Sequence, residues 1–156
     1  MATRARVLVD TGPLVAWFDA NDTYHASVSR FLDRYEGELL STWPVLTEIC
    51  HLLPESILPG FMMWVARGGL TIADLPPSSA LALADRMGKY ADLPMDLADA
   101  SLIWLAENLG VLDVLTLDRR DFGVYRTDRD KALRNLLEVR EPSSLKPRSR
   151  RPKPSK

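Results

Sequence analysis

Residues 7–19, with the sequence VLVDTGPLVAWFD, decide the fold class of this chain. They contain most of an apolar run, residues 6–10, whose lack of polar alternation is typical of a strand covered on both faces. Gly12 and Pro13 follow the run, and because proline is favoured at a first helical position, a helix is predicted over residues 14–18. A strand that leads directly into a helix is the opening unit of an α/β fold.

The rest of the chain continues to alternate between strand-like and helix-like segments. Further strands are predicted at residues 38–41, 70–73, 113–117 and 136–139. Helices are predicted at residues 24–35, 43–53, 57–66, 78–90 and 96–109. The third of these is expected to be interrupted near Pro59 and Gly60, and Gly110 is expected to end the last.

Strands separated by helices favour a parallel sheet with helices on both faces. We therefore expect a three-layer α/β/α fold with a central parallel sheet of four to five strands. Ligands bind such open sheets beyond the carboxyl ends of the strands.

The composition excludes several classes of protein. The chain has 156 residues, of which 46% are apolar and 26% charged, as expected for one globular domain. It has no apolar run long enough to span a membrane, and its N-terminus lacks the apolar core of a secretory signal. Because the single cysteine, Cys50, cannot form an internal disulfide, a disulfide-stapled secreted protein is excluded and the cytoplasm is the expected location.

The net charge of −1 conceals an uneven distribution of charge. Residues 142–156 contain six basic residues, four prolines, four serines and no acid. Such a segment cannot bury enough apolar surface to fold, so residues 1–141 are predicted to be the folded domain and residues 142–156 a disordered tail. The tail is either a solubilising terminus or an electrostatic arm for nucleic acid. The domain then holds 14 basic and 21 acidic residues, a net charge of −7.

Several of these acids lie where an unpaired charge is costly. Asp10 ends the first predicted strand and Asp118 follows a late one, although each is also explained as a helix cap or a turn residue. Glu48 falls within the apolar stripe of its helix, where a carboxylate needs a cation or strong hydrogen bonds, and His51 is a candidate partner. We expect Cys50, which has apolar neighbours, to be a core residue.

Asp96 and Asp99 stand three residues apart at the start of a predicted helix. Helix capping explains Asp96, and the helix dipole favours both acids. Capping does not explain Asp99, which we expect to converge with Asp10 and Asp118 at one end of the sheet. The pKa values of carboxyl groups brought together in this way would rise unless a cation neutralised them. Oxygen ligands without a cysteine–histidine cluster select Mg²⁺ or Mn²⁺ rather than zinc.

The sequence resembles the PIN-domain family, and most closely the VapC toxins of bacterial type II toxin–antitoxin pairs. Four segments carry the resemblance: VLVDTGPLVAWFD, VLTEICHLL, DLPMDLADASLIWLAE and LTLDRRDFGVYR. They occur in the family's order and span nearly the whole predicted domain. The resemblance implies a PIN-like fold and a Mg²⁺-dependent endoribonuclease, with Mn²⁺ as an alternative ion.

The same resemblance implies the residues of the site. The catalytic quartet falls on Asp10, Glu48, Asp99 and Asp118. The implied metal ligands are Asp10, Asp99 and Asp118, and the further candidate ligands are Glu48, Asp96 and Asp121.

Other residues beside these acids match the family pattern or suit the substrate. Thr11 and Thr116 match its small hydroxyl positions next to the first and last acids. Arg119 and Arg120 are candidates to contact RNA phosphates.

The resemblance also implies partners, while other functions stay open. It implies an RNA substrate (tRNA, rRNA or mRNA), a VapB-like antitoxin and a homodimer. The apolar residues 61–66, FMMWVA, either contact a partner or form a core helix.

Two alternatives to a toxin remain open: a PIN nuclease for RNA processing without an antitoxin, and a non-catalytic RNA-binding module. A phosphotransferase of the haloacid dehalogenase type is disfavoured because Gly12 stands where that class has a second aspartate. A receiver-type protein is disfavoured because no lysine closely follows Leu117.

Overall fold

A computed structural model describes residues 3–138 of the chain, and the predicted tail lies outside them. In this part of the chain, five strands form one parallel sheet: β1 (Arg6–Val9), β2 (Glu38–Thr42), β3 (Thr71–Ala73), β4 (Asp113–Leu115) and β5 (Arg134–Asn135). The same part contains the α-helices α1 (Thr11–Phe18), α2 (His25–Leu32), α3 (Trp43–Leu52), α4 (Leu58–Ala66), α5 (Ala80–Lys89), α6 (Leu97–Leu109) and α7 (Arg119–Val124). The predicted α/β/α fold with a five-stranded parallel sheet is confirmed.

The predicted elements differ from the observed ones in three places. The last strand was expected at residues 136–139 but lies at Arg134–Asn135, because polar residues suffice for a short strand at a sheet edge. Helix α4 is not interrupted: Pro59 and Gly60 lie in its first turn, where the missing N–H of proline has no helical partner in any case. Helix α7 was not predicted at all.

The strand order, β3-β2-β1-β4-β5, indicates where a ligand would bind. From β1 the chain builds β2 and β3 on one side and then returns to add β4 and β5 on the other. Such a reversal creates a crevice at the carboxyl ends of the two central strands, where open α/β sheets bind ligands. Here those ends are Val9 of β1 and Leu115 of β4, which are register partners.

Helix α6 brings a further segment to this edge of the sheet. Its N-cap is Asp96, and Gly110 ends it in the left-handed conformation at φ 64°, as the sequence predicts. A buried hydrogen bond of 2.6 Å joins the hydroxyls of Thr42, at the end of β2, and Ser101, in the second turn of α6. Because Thr42 lies at the carboxyl end of its strand, the first turns of α6 are held beside the same crevice.

The apolar segment at residues 61–66 is divided between core and surface. Phe61 is fully buried and packs against Phe18, while Trp64 contacts both of these rings. Met62 and Met63 are exposed.

The expectation that Cys50 is a core residue is wrong: Cys50 is half-buried beside Met62. In the described part of the chain, no helix is long and apolar enough to cross a membrane.

Candidate active site

Asp10 lies at the carboxyl end of β1 and is buried. Although it is the N-cap of α1, its side chain makes no capping hydrogen bond, and Oδ2 instead accepts a bond of 2.8 Å from the hydroxyl of Thr116. Burial raises the pKa of Asp10 from 3.8 to about 6, and the charges of Asp118 and Asp96 add to the rise. Capping therefore does not explain this carboxylate, and its environment resists the charged form.

Thr116 connects Asp10 to Asp118. Its hydroxyl donates to Asp10 and accepts the backbone N–H of Asp118 at 3.0 Å. The side chain of Asn135, in β5, clamps the backbone of Thr116 by accepting its N–H at 3.3 Å and donating to its carbonyl oxygen at 2.9 Å. The edge strand thus fixes the hydroxyl that orients the Asp10 carboxylate and holds the backbone of Asp118.

Glu48 is held by Thr11, the residue that follows Asp10. It lies on α3 and is partly buried, and its Oε2 accepts a hydrogen bond of 2.6 Å from Thr11, the first residue of α1. Burial raises the pKa of Glu48, and the nearby carboxyl groups of Asp96 and Asp10 raise it further. His51, the partner considered from the sequence, is exposed and makes no hydrogen bond to Glu48 in the described structure.

Asp99 lies in the first turn of α6 and faces other acids. Burial raises its pKa to about 7, and the charges of Asp96 and Asp10 contribute to the rise. Its backbone N–H donates to Oδ1 of Asp96 at 2.9 Å, so Asp96 is the helix cap that the sequence suggests. The hydroxyl of Tyr125 lies 3.3 Å from Oδ2 of Asp99.

Asp118 and Asp121 belong to α7. Asp118 is exposed and caps this helix by accepting the backbone N–H of Asp121 at 3.0 Å. The pKa of Asp121 is raised by burial and by the neighbouring Asp118, while Arg120 lowers it. Arg119 donates to the carbonyl oxygen of Leu137 at 3.0 Å. Helix α7 therefore presents acids and arginines beside the crevice.

The donor set fits a hard divalent cation in its chemistry. The charge of Asp10 contributes to the raised pKa values of Glu48 and Asp99, and none of these three acids forms an ion pair with a basic residue among residues 3–138. Oxygen-only ligands of this kind suit Mg²⁺ or Mn²⁺. In the same residues, no three acids converge closely enough to form a ready-made cation site. Mutual repulsion is a physical reason for uncompensated carboxylates to stand apart.

Two residues of this region were not identified from the sequence. Asn135 gives no signal because a single polar residue between leucine-rich segments is ordinary at a strand edge. Tyr125 gives none because Asp99, the residue that its hydroxyl contacts, is 26 positions away in the sequence. Of the predicted residues, Asp10, Thr11, Thr116 and Asp118 follow β1 or β4 within three positions. Glu48 lies on α3, Asp96 and Asp99 at the start of α6, and Asp121 on α7.

Ribonuclease VapC26 of Mycobacterium tuberculosis is 30% identical to this chain over 124 residues, which cover 77% of the chain and 92% of the relative. The chain belongs to the VapC family. This confirms the expected PIN-domain family, and the shared length means that nearly a whole VapC protein is matched. No protein-family model matches the chain.

The fold of this VapC protein also matches a solved structure of the same family. The crystal structure of M. tuberculosis VapC20, described as a sarcin–ricin loop cleaving toxin, superposes with a TM-score of 0.68 and covers 75% of this chain and 93% of its own. At 12% sequence identity, the match shows a common fold.

Proposed function

We propose that this VapC-family protein is a metal-dependent endoribonuclease that acts as a toxin in the cytoplasm and is neutralised by a VapB-like antitoxin. One observation carries the proposal most directly: Asp10 and Asp99 lie at the switch point of the sheet with strongly raised pKa values. Raised carboxyl pKa values in a crevice are typical of functional sites. The ribonuclease activity in the name of the VapC26 relative supports the same reaction class.

The residues that would hold the cation are acids of the crevice. Asp10, Asp99 and Asp118 are the proposed ligands of Mg²⁺, or of Mn²⁺ in its place, and Glu48, Asp96 and Asp121 are further candidates. When bound, such an ion supplies positive charge that stabilises the phosphate of the scissile bond during hydrolysis.

The chain's own side chains orient the reacting groups. Thr116 fixes the carboxylate of Asp10, and Thr11 fixes that of Glu48. The pKa of Glu48 is raised, so this residue suits a role as proton acceptor from the attacking water. The oxygen of that water forms a bond to phosphorus as the bond from phosphorus to the leaving nucleotide oxygen breaks. One water proton passes to Glu48, and the leaving oxygen takes up a proton from solvent.

Basic side chains of α7 are proposed to hold the RNA on either side of the scissile bond. Arg120 is exposed, and Arg119 uses one N–H on Leu137, which leaves further guanidinium donors for phosphate oxygens. Because the crevice is acidic, these arginines also reduce the repulsion that an approaching phosphodiester meets.

The exposed methionines of α4 are the proposed partner contacts. Met62 and Met63 are the exposed large side chains of the apolar segment at residues 61–66 and would contact a second copy of the chain or the antitoxin. Phe61, which is buried, stabilises the core instead.

The test is cleavage of total RNA and of tRNA by the purified protein, with Mg²⁺ or with EDTA. We expect cleavage with Mg²⁺ only, and a loss of at least about 100-fold in Asp10→Asn and Asp99→Asn. Asp85→Asn, which changes an exposed acid on α5, is the matched control and should cleave like the wild type. Cleavage in EDTA, or undiminished cleavage by the two site variants, would overturn the proposal. RNA binding without cleavage would favour the non-catalytic module instead.

A further inference from the structure

Tyr125 is fully buried, and the reaction described above gives it no role. Its hydroxyl lies 3.3 Å from Oδ2 of Asp99 and 3.2 Å from the carbonyl oxygen of Pro94. A tyrosine hydroxyl has one proton to donate, so these two acceptors share a single donor. Because a buried hydroxyl without a partner is costly, the group is held on these acceptors.

The ring of Tyr125 is fixed on two sides. It makes edge-on contacts with Phe122 and Tyr90, at centroid distances of 5.3 and 5.1 Å. The hydroxyl of Tyr90 in turn accepts the backbone N–H of Arg126 at 3.0 Å. The backbone N–H of Tyr125 donates to the carbonyl oxygen of Asp121 at 3.0 Å. The position of the Tyr125 hydroxyl is therefore set by both its ring and its backbone.

The chain after Tyr125 is also anchored. Arg86, which is buried, forms ion pairs with Glu107 of α6 and, at 2.8 Å, with Asp128. The backbone N–H of Asp128 donates to Glu107 at 2.6 Å. This segment is thus tied to the same helix that carries Asp99, so the distance from Tyr125 to Asp99 is constrained from both ends.

Asp99 has few other contacts that define its orientation. Among the side chains of residues 3–138, the Tyr125 hydroxyl is the one hydrogen-bond donor to the Asp99 carboxylate, and the backbone of Asp96 supplies a second hydrogen bond. Its acidic neighbours, Asp96 and Asp10, repel the charged form. A hydrogen bond to one oxygen limits rotation of a carboxylate and leaves the other oxygen for a ligand, which is how outer hydrogen bonds orient metal ligands.

We propose that Tyr125 is a positioning residue that holds the Asp99 carboxylate in the orientation needed to bind a divalent cation. The inference rests on the proposed function, because it takes Asp99 as a ligand of Mg²⁺ or Mn²⁺. It gives α7 a wider purpose: the helix carries Asp118 and Asp121, and its C-terminal end carries the donor that orients a third acid.

The test compares Tyr125→Phe, which removes the hydroxyl and keeps the ring, with the wild type. The melting temperature is measured as Mn²⁺ is added to EDTA-treated, dialysed protein. We expect Tyr125→Phe to need about 10-fold more Mn²⁺ for half of its thermal shift. Tyr90→Phe is the matched control, since it removes a neighbouring tyrosine hydroxyl that contacts Arg126 and not Asp99. It should respond at the wild-type Mn²⁺ concentration even if its melting temperature in EDTA is lower.

The outcomes separate this inference from the proposed function. If the wild type shows no Mn²⁺ response, the metal site itself is wrong and the inference falls with it. If the wild type responds but Tyr125→Phe needs the same Mn²⁺ concentration, only the inference is wrong. An equal shift in Tyr125→Phe and Tyr90→Phe would show that packing, and not the hydroxyl, is responsible, and would also overturn it.

A second measurement does not depend on the metal and guards against misfolding of Tyr125→Phe. Melting temperatures in EDTA are compared for Tyr125→Phe, Asp99→Ala and the double variant. If the hydroxyl and the carboxylate interact, the two single effects are expected not to add in the double variant. Additive effects would show that the two groups are not coupled and would overturn the inference.

Discussion

Replacing Asp10 by asparagine is expected to stabilise the metal-free protein near neutral pH. In the wild type, burial raises the pKa of Asp10 from 3.8 to about 6. The folded protein therefore keeps a proton that the unfolded chain has released, and the free energy of unfolding falls as pH rises through this window. Asparagine keeps the shape of the side chain and cannot ionise, so the variant lacks this loss.

The size of the effect follows from the pKa of Asp10. Because one pKa unit corresponds to about 1.4 kcal/mol, the rise from 3.8 to about 6 corresponds to about 3 kcal/mol of unfolding free energy. This contribution is present below about pH 4 and lost above about pH 7. For a domain of this size, about 3 kcal/mol corresponds to about 10 °C in melting temperature.

The assay is urea unfolding in EDTA, followed by tryptophan fluorescence, at about pH 4 and about pH 8. We expect the stability advantage of Asp10→Asn over the wild type to grow by about 3 kcal/mol between these two values. Asp85→Asn makes the same change on an exposed part of α5 and should show a much smaller pH-dependent difference. The pH dependence thus separates the buried acid from a general effect of net charge.

An advantage of Asp10→Asn that is equal at both pH values, or that shrinks as pH rises, would refute this reasoning. Added Mg²⁺ provides a second check, because it should favour the stability of the wild type over that of Asp10→Asn. At about 100 times its Kd, the ion should stabilise the wild type by about 2.7 kcal/mol. It should stabilise Asp10→Asn much less, because this variant lacks one of the proposed ligands.

Three further predictions concern the threonine support, the core and a helix end. Thr116→Val removes the donor to Asp10 and should lower the rate of RNA cleavage by about 10-fold with little change in the circular dichroism spectrum. Leu102→Ala, at a fully buried position of α6, should lower the free energy of unfolding in urea by about 2–5 kcal/mol. Gly110→Ala forces a left-handed conformation on a residue with a Cβ and should cost about 1 kcal/mol in the same measurement.

Much of the fold could be predicted because its strands are short apolar runs bounded by turn residues. The strand at residues 6–10 was identified in this way, and β1 covers Arg6–Val9. Helix α7 could not be predicted because its six residues, RRDFGV, are too few to show helical periodicity. It forms because Asp118 caps it and Phe122 is buried beneath it, and the second of these depends on tertiary packing. The same holds for β5, whose polar residues pair only because β4 is already in place.

Some residues of the candidate site could likewise be identified from local sequence patterns, whereas the contacts between them depend on the tertiary fold. Glu48 could be singled out because a carboxylate within an apolar stripe breaks a local pattern. Asp96 and Asp118 cap helices as local rules predict, and those rules alone do not tell a cap from a ligand. The contacts that orient the acids, such as the bond from Thr116 to Asp10 across 106 residues, arise only once the strands are paired.

Helix α7 has only six residues, and a helix of this length is not stable by itself in water. It persists because of its cap and the burial of Phe122 and Tyr125, so it can open while the central strands remain intact. Its amides should then exchange with deuterated solvent faster than those of β1 and β4. Such a local opening would move Asp118, Asp121 and Tyr125, whose hydroxyl donates to Asp99, out of the crevice at the same time. The denaturant concentration that halves cleavage is therefore set by this short helix and lies below the one that unfolds the sheet.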